Sequence, residues 1–415
     1  MLLASIISMI TIAPIYAMDT ETLERLERVI DQQQKQIESQ SRAIEALRQE
    51  MEALKKGAQP VTAASDTKPA VRVKPGNKNA SLEIYGQVNK GILLTNDGNE
   101  ENVFLVDNDN SSTRLGLVGS VNPAEGIDVG TKIEVEFQSN ASNEVSQDAL
   151  RNVGDNHFKK RWLDLWFDVQ KAGKFSLGWG STASDGTAET DLSGTSVIGY
   201  SSVDATAGGH LFYDRGANAL STTTIGSVFK NMDGLSRDER IRYDSPTFFN
   251  THLSGSYISD GGYDMAVRYS AQFGQFKTAA ALARAFHGGQ NVNIDSQWST
   301  SFSLLHDSGF NATFAGGIQD FKAPGRNDGT FYYTKFGYIA RWCPLGSTAL
   351  SVDFGRYKEI ALNDDEADTY GAQLVQNMAT WGTEYFIGYR LYKLDRTGSD
   401  FDDVRAMLTG FRVKF

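Results

Sequence analysis

The sequence predicts an all-β fold: a 16-stranded antiparallel transmembrane β-barrel over residues 82–415, preceded by an α-helical coiled coil over residues 19–56. Three observations carry this. Short segments alternate apolar and polar residues with period two, the connections between them alternate short and long, and the N-terminal region carries a heptad pattern. The alternation is cleanest at 128–138. Val129, Thr131, Ile133, Val135 and Phe137 fall on one face, and Gly130, Lys132, Glu134, Glu136 and Gln138 on the other. In a soluble sheet the apolar face would meet a core. In a membrane barrel it meets lipid, and the polar face lines a watery lumen.

In chain order, residues 1–17 read as a secretory signal peptide with an apolar run, Leu2 to Ile15, and a small residue, Ala17, for cleavage. A basic start to that segment is missing. With Leu23 at heptad position a, the a positions are Leu23, Ile30, Ile37, Ile44 and Met51, and the d positions are Leu26, Gln33, Gln40, Leu47 and Leu54. Gln33 and Gln40 are polar residues in the seam, of the kind that fixes register and strand number; two and three strands both fit. Residues 57–80, with Pro60, Pro69 and Pro75, read as a flexible linker.

Sixteen strands are expected to start near Leu82, Ser112, Asp128, Phe158, Gly173, Glu239, Thr251, Tyr263, Phe276, Gln297, Phe310, Phe331, Ser347, Ala367, Trp381 and Val404. Connections after even-numbered strands are short. Those after odd-numbered strands are long (96–111, 139–157, 181–237, 287–296, 319–330, 358–366 and 393–403), except Asp260-Gly261-Gly262. An even strand count puts both chain ends on one side, the periplasmic side of an outer membrane. The third long connection, 181–237, has room to fold into the barrel and narrow the lumen, since loops of this length are usually functional.

Composition excludes other classes. At 40% apolar, no window holds the roughly 20 apolar residues of a spanning helix. The 23 Phe, 16 Tyr and 6 Trp suit aromatic girdles, and a formal charge of -11 argues against nucleic acid. Cys343 stands alone, so no internal disulfide or cysteine cluster forms. The histidines, His157, His210, His252, His287 and His306, have no metal-ligand spacing, and no nucleophile elbow is present. No enzyme, cofactor or metal is expected.

Several segments in order resemble the trimeric porins of Gram-negative outer membranes. Leu82-Glu83-Ile84-Tyr85-Gly86 resembles their opening strand, and Ser112-Thr113-Arg114-Leu115-Gly116-Leu117 their second, whose arginine faces the pore. Gly178-Trp179-Gly180-Ser181 resembles the lead-in to their inward third loop, and Arg242-Tyr243-Asp244-Ser245-Pro246-Thr247-Phe248 the strand and turn after it. Gly410-Phe411-Arg412-Val413-Lys414-Phe415 resembles their last strand. The heptads resemble those of porins, dicarboxylate channels among them, that carry an N-terminal coiled coil. The resemblance implies a homotrimer in the outer membrane among lipid and lipopolysaccharide. It also implies a C-terminal Phe415 read by the barrel-assembly machinery, and a coiled coil in the periplasm with a possible cell-wall partner.

The pore is expected to be a passive path for small hydrophilic solutes through a charged constriction. The expected basic row is Arg114, Arg240 and Arg242, extended by Lys132 and Arg268, since period two puts Arg240 and Arg242 on the face opposite Ile241 and Tyr243. The acidic wall is expected from the third loop: Asp191 and Asp204, with Glu189. Two residues break the pattern. Arg161 shares a face with Leu163, Leu165 and Phe167, and Lys90 lies on the apolar side of strand one. For Arg161 a bulge, an interfacial position, or Lys160 as the pore residue would each resolve the conflict. Two other readings stay open: a channel specific for organic anions or dicarboxylates, and a structural tether between membrane and cell wall through the coiled coil.

Overall fold

The computed structural model describes residues 80–415 apart from 152, 154–156, 290 and 292. The signal peptide, the coiled coil and the linker up to residue 79 lie outside the described residues. The wall is built from β1 (Ala80–Asn96), β2 (Glu101–Asp107), β3 (Arg114–Ala124), β4 (Ile127–Phe137), β5 (Phe158–Val169) and β6 (Gly173–Ser181). A long loop then intervenes, carrying its own hairpin of β7 (Leu211–Asp214) and β8 (Ala219–Thr224). The wall resumes with β9 (Arg237–Asp244), β10 (Thr251–Ile258), β11 (Tyr263–Phe273), β12 (Phe276–Phe286), β13 (Ile294–His306) and β14 (Phe310–Phe321). It ends with β15 (Gly329–Cys343), β16 (Gly346–Lys358), β17 (Glu366–Met378), β18 (Thr383–Asp395) and β19 (Val404–Lys414).

All neighbours pair antiparallel, and β19 returns to β1 in register from Gln87↔Lys414 to Asn96↔Arg405, so the sheet closes. β2 and β3 both pair with β1, on its two halves, and together form one stave. The cylinder therefore has sixteen staves, as the periodicity predicts. At the seam Phe415 exchanges two backbone hydrogen bonds with Gly86, each 3.0 Å. A Cβ on Gly86 would meet the Phe415 ring at 2.6 Å, so the seam depends on that glycine.

The two faces divide as expected. On β4, Ile133 is 39% exposed and Glu134 only 3%. On β5, Leu163, Leu165 and Phe167 look outward, while Asp164 looks in. An apolar outer belt over a polar interior is the reverse of a soluble sheet. Near the short turns, exposed Phe273, Phe276, Phe310, Trp342, Trp381 and Phe415 supply large rings of the kind that form an aromatic girdle.

Two local expectations change. The connection 96–111 is not one long loop. A tight turn at 97–100, in which the Asp97 carboxylate accepts from the amides of Asn99 and Glu100, leads straight into β2. β2 escapes the pattern because both faces are apolar. Val103 and Leu105 point outward, while Phe104 and Val106 are buried inside. The Arg161 conflict is resolved by a bulge. Pairing steps from Glu134↔Trp162 to Val135↔Lys160, which skips Arg161 and turns it inward. Lys90 does stay on the outer face, where its ammonium lies 2.6 Å from the buried Asp107 carboxylate.

Replacing Leu165 by arginine should therefore cost about 2–4 kcal/mol of barrel stability near the bilayer midplane. Lys132→Arg, on the lumen side of β4, should cost almost nothing. Denaturant unfolding in lipid vesicles measures both, and equal losses would contradict this facing.

Candidate functional site

The loop between β6 and β9, residues 182–236, runs along the inside of the wall and is fastened at intervals. Its base is tied to β11. The buried Asp264 carboxylate accepts from the amide and hydroxyl of Ser184, at 2.7 and 2.5 Å, and from the hydroxyl of Ser256. Where the returning leg crosses this knot, a Cβ on Gly234 (φ 67°) would meet the Ser184 hydroxyl at 2.1 Å. Next the loop follows a track of small hydroxyls on β13. The Thr187 hydroxyl meets Ser299, and the amides of Thr190 and Leu192 donate to Ser301 and Ser303. Serine at every second position leaves room for a second backbone against the sheet, and that spacing is a signal the sequence does carry.

Beyond the track, Lys335 of β15 acts as a clasp. It is fully buried, and its ammonium lies 2.7 Å from Asp191, 2.5 Å from the Gly199 carbonyl and 3.1 Å from the Thr195 hydroxyl. Its charged partner is separated from it by 144 residues in the chain. Further round, Tyr392 donates to the Val203 carbonyl at 2.7 Å, and His210 meets Thr95 of β1 at 3.0 Å. Here the contacts become apolar. Phe229 packs edge-on against Tyr357 and Tyr392, and Val197, Ile198, Val203, Phe212, Ile225 and Val228 join Leu93, Phe104, Phe386 and Leu408 in one buried cluster. The loop thus packs a dry core onto one side of the cylinder, against β15–β19, β1 and β2.

The opposite side keeps a polar cavity of about 860 Å³. Its basic lining comes largely from the wall: Arg114, Lys159, Lys160, Arg161, Arg237 and Arg412, with Lys230 from the loop. Its acidic lining comes largely from the loop: Asp185, Glu189, Asp204 and Asp233, with Glu136 from the wall and Asp109 from the connection between β2 and β3. Arg161 is paired with Glu134 at 2.7 Å and Glu136 at 2.6 Å, and Tyr85 donates to Glu134 at 2.5 Å. Arg114 stands further off, 4.0 Å from Glu134.

Of the expected basic row, Arg114 lines the cavity. Arg240 does not. It is 4% exposed, and its guanidinium is consumed by Asp164 at 2.8 Å and the carbonyls of Ser181 and Gly178. Period two places it on the correct face, but an inward arginine at the root of the loop meets carbonyls before it meets solvent. Arg242 ties the loop root as well, donating to Asp244 and to the Thr182 carbonyl at 2.7 Å. Arg268 reaches the Asp185 carbonyl at 2.7 Å. Lys132 lies over the Trp162 ring at 4.2 Å and 3.8 Å from Glu134. Among the expected acids, Asp204 and Glu189 line the cavity, whereas Asp191 faces the wall and is spent on Lys335. Lys159, Arg237, Arg412, Asp109 and Asp233 join the lining without a signal in local spacing, because their meeting depends on the bulge and on the path of the loop.

The loop acids crowd one another. Asp233 accepts from the amides of Gly186, at 2.7 Å, and Ala188, at 2.9 Å. Burial, reinforced by the charge of Asp185, nevertheless pushes its carboxyl up to about 7. Burial, with Asp233 and Asp185 adding repulsion, pushes Glu189 well above the usual carboxylate range, against a hydrogen bond from Asn231. A raised carboxyl is neutral below its pKa, so acidification removes negative charge from this wall.

Two outcomes are expected. Lys335→Met leaves the Asp191 carboxylate buried without its cation, a loss of about 3–5 kcal/mol. It should release the middle of the loop, seen as a larger and noisier single-channel current. Between pH 8 and pH 6, protonation of Asp233, with Glu189 and Asp109 of the same lining also raised by burial, should move the reversal potential in a KCl gradient toward the chloride potential, and Asp233→Asn should weaken that dependence. Burial holds His287, also on the lining, below its ordinary value, so its protonation falls at lower pH. A reversal potential constant across this window would refute the assignment to Asp233.

No curated protein sequence matches the chain. Solved structures share its fold at low identity. An anion-selective porin from Comamonas acidovorans aligns over 81% of this chain and 100% of its own, with 16% identity and a TM-score of 0.55. The outer-membrane protein OmpT of Vibrio cholerae aligns over 82% and 99%, with 10% identity and a TM-score of 0.54. OprB of Pseudomonas putida aligns over 80% and 93%, with 10% identity and a TM-score of 0.54. Residues 56–397 match the family model for the Gram-negative porins, and the chain, a closed cylinder apolar outside and charged within, belongs to that family.

Proposed function

We propose that this chain is a passive diffusion pore of the outer membrane for small hydrophilic solutes, with its constriction formed by the inward loop 182–236. The observation that carries the reading is the separation of charge across the cavity, cations chiefly from the wall and carboxylates chiefly from the loop. A transverse field of that kind orients polar solutes and disfavours apolar ones, with no catalysis and no energy coupling. Membership of the porin family and the closed barrel support an outer-membrane channel rather than an enzyme.

The lining carries seven basic residues (Arg114, Lys159, Lys160, Arg161, Lys230, Arg237, Arg412) against six acidic ones (Asp109, Glu136, Asp185, Glu189, Asp204, Asp233). So near a balance supports a general pore of weak ion preference. The upward shift of Glu189 and Asp233 tips the balance toward cations on the wall and favours, as second reading, a channel for organic anions. Homotrimeric assembly fits the family, and a solved relative, OmpT of Vibrio cholerae, is described in a trimer form. We propose likewise that the assembly machinery recognises Phe415, that the barrel contacts lipopolysaccharide, and that a periplasmic coiled coil reaches the cell wall.

Purified protein in planar bilayers tests the reading. A general pore trimer should open and close in three equal steps, with a reversal potential near zero in a salt gradient. A strongly negative or positive potential would favour the specific channel, and electrical silence would remove the pore reading altogether.

A further inference from the structure

The second stave does not run straight. β2 stops at Asp107, β3 resumes at Arg114, and residues 108–113 leave the wall and turn into the lumen. Asp109, Asn110, Ser111 and Ser112 line the same cavity as the loop acids. This excursion is ordered by its own side chains. The side-chain carbonyl of Asn108 accepts from the amide of Asn110 at 3.0 Å and from its side chain at 2.9 Å. From β1, Gln87 donates to the Ser112 carbonyl at 2.7 Å and Asn89 to the Ser111 carbonyl at 2.8 Å.

The excursion is also stapled to the inward loop. The Asn108 side-chain amide donates to the Val197 carbonyl at 2.8 Å. Ser142 bridges the two as well, accepting from the Asp109 amide at 3.0 Å and donating to the Ala205 carbonyl at 2.6 Å. On its other side the excursion sets the basic wall. The Ser111 hydroxyl meets Arg412 at 2.7 Å, Arg114 at 3.1 Å and the Gln87 amide at 2.9 Å, so two guanidiniums converge on a neutral oxygen. The Ser112 hydroxyl donates to Glu136 at 2.6 Å.

We propose that residues 108–113 are a second constriction element, that the aperture lies between this excursion and the inward loop, and that Asp109 and Ser111 are specificity-determining residues. Asp109 contributes a carboxylate on the side of the basic wall, which burial pushes up to about 6 and which is ionised at pH 8, and Ser111 holds Arg114 and Arg412 together without neutralising them. The proposal rests on the reading of the chain as a pore.

Reversal potentials of the full-length protein in bilayers at low salt and pH 8, where the Asp109 carboxyl is ionised, provide the test. Asp109→Asn keeps an acceptor for the Gln138 amide, which now donates to the carboxylate at 3.0 Å. It should move the permeability ratio toward anions, by about fivefold, the scale of one unit charge in water at contact distance. Ser111→Asp places a carboxylate between two arginines and should move the ratio about as far toward cations. Asn108→Ala opens the staple and should raise single-channel conductance. Asp400→Asn, at the outer end where Asp400 pairs with Arg215, should leave the ratio unchanged. In a Cys343→Ser background, the Asp109→Cys variant should react with charged thiol reagents and lose conductance stepwise.

Opposite shifts from Asp109→Asn and Ser111→Asp, with the control silent, establish the second element. Wild-type ratios in both, at wild-type conductance, overturn it while leaving the pore reading intact, and so does an Asp109→Cys variant whose thiol fails to react. A wild-type protein that carries no current overturns the pore reading and this inference together.

Discussion

Hydrocarbon offers no partner to a peptide N–H or C=O, so a sheet that crosses a bilayer must leave no edge. In this chain that demand falls on one seam, where β19 pairs with β1 from Gln87↔Lys414 to Asn96↔Arg405 and Phe415 is locked onto Gly86. Once the seam closes, facing is decided for every stave, because side chains alternate and the cylinder has only an inside and an outside. The apolar belt and the charged lumen are then two consequences of one closure.

A closed cylinder creates a second difficulty, which is how to hold anything inside it. A lumen filled with water supplies no dry core against which a loop can fold. The chain uses two devices. Near the loop root, attachment is polar, through Asp264, the serines of β13 and Lys335. Around Phe229 it is apolar, and inward residues of β15–β19 abandon the polar pattern to meet it: Phe331, Tyr333, Tyr357, Phe386, Tyr392, Leu394 and Leu408 are buried inside the barrel. One side of the lumen behaves as a protein core and the other as a channel wall. The eccentric cavity follows from that division.

Staves are legible in the sequence because period two is a local signal, and fifteen of the sixteen depend on little else. β2 is hidden by the same device that fills the lumen. With Phe104 and Val106 packed against the loop and Val103 and Leu105 facing outward, no alternation remains to be read. Arg161 is legible only as a contradiction, and a one-residue bulge resolves it. The partners within the cavity are less accessible still. Asp191 and Lys335, or Ser111 and Arg412, are brought together by closure and by the loop's path, and neither pair leaves a trace in local spacing.

The fate of Arg240 shows why counting charges on a lumen face overstates a pore's field. Arg240 is inward, yet with 1% of its side chain exposed, paired with Asp164 and capped by two carbonyls, it contributes almost nothing to a passing ion. Arg412 shares its charge with Glu384 at 2.6 Å but keeps an arm toward the cavity through Ser111. Lys230 is exposed and lines the cavity from the loop itself, on the side otherwise held by acids. Field in the aperture is therefore set by which charges remain uncompensated after the fold has used the others for fastening. In this barrel the same residue types do both jobs, and burial decides between them: an arginine enclosed at the loop root is an anchor, and one held at the cavity by a serine hydroxyl is part of the wall that solutes meet.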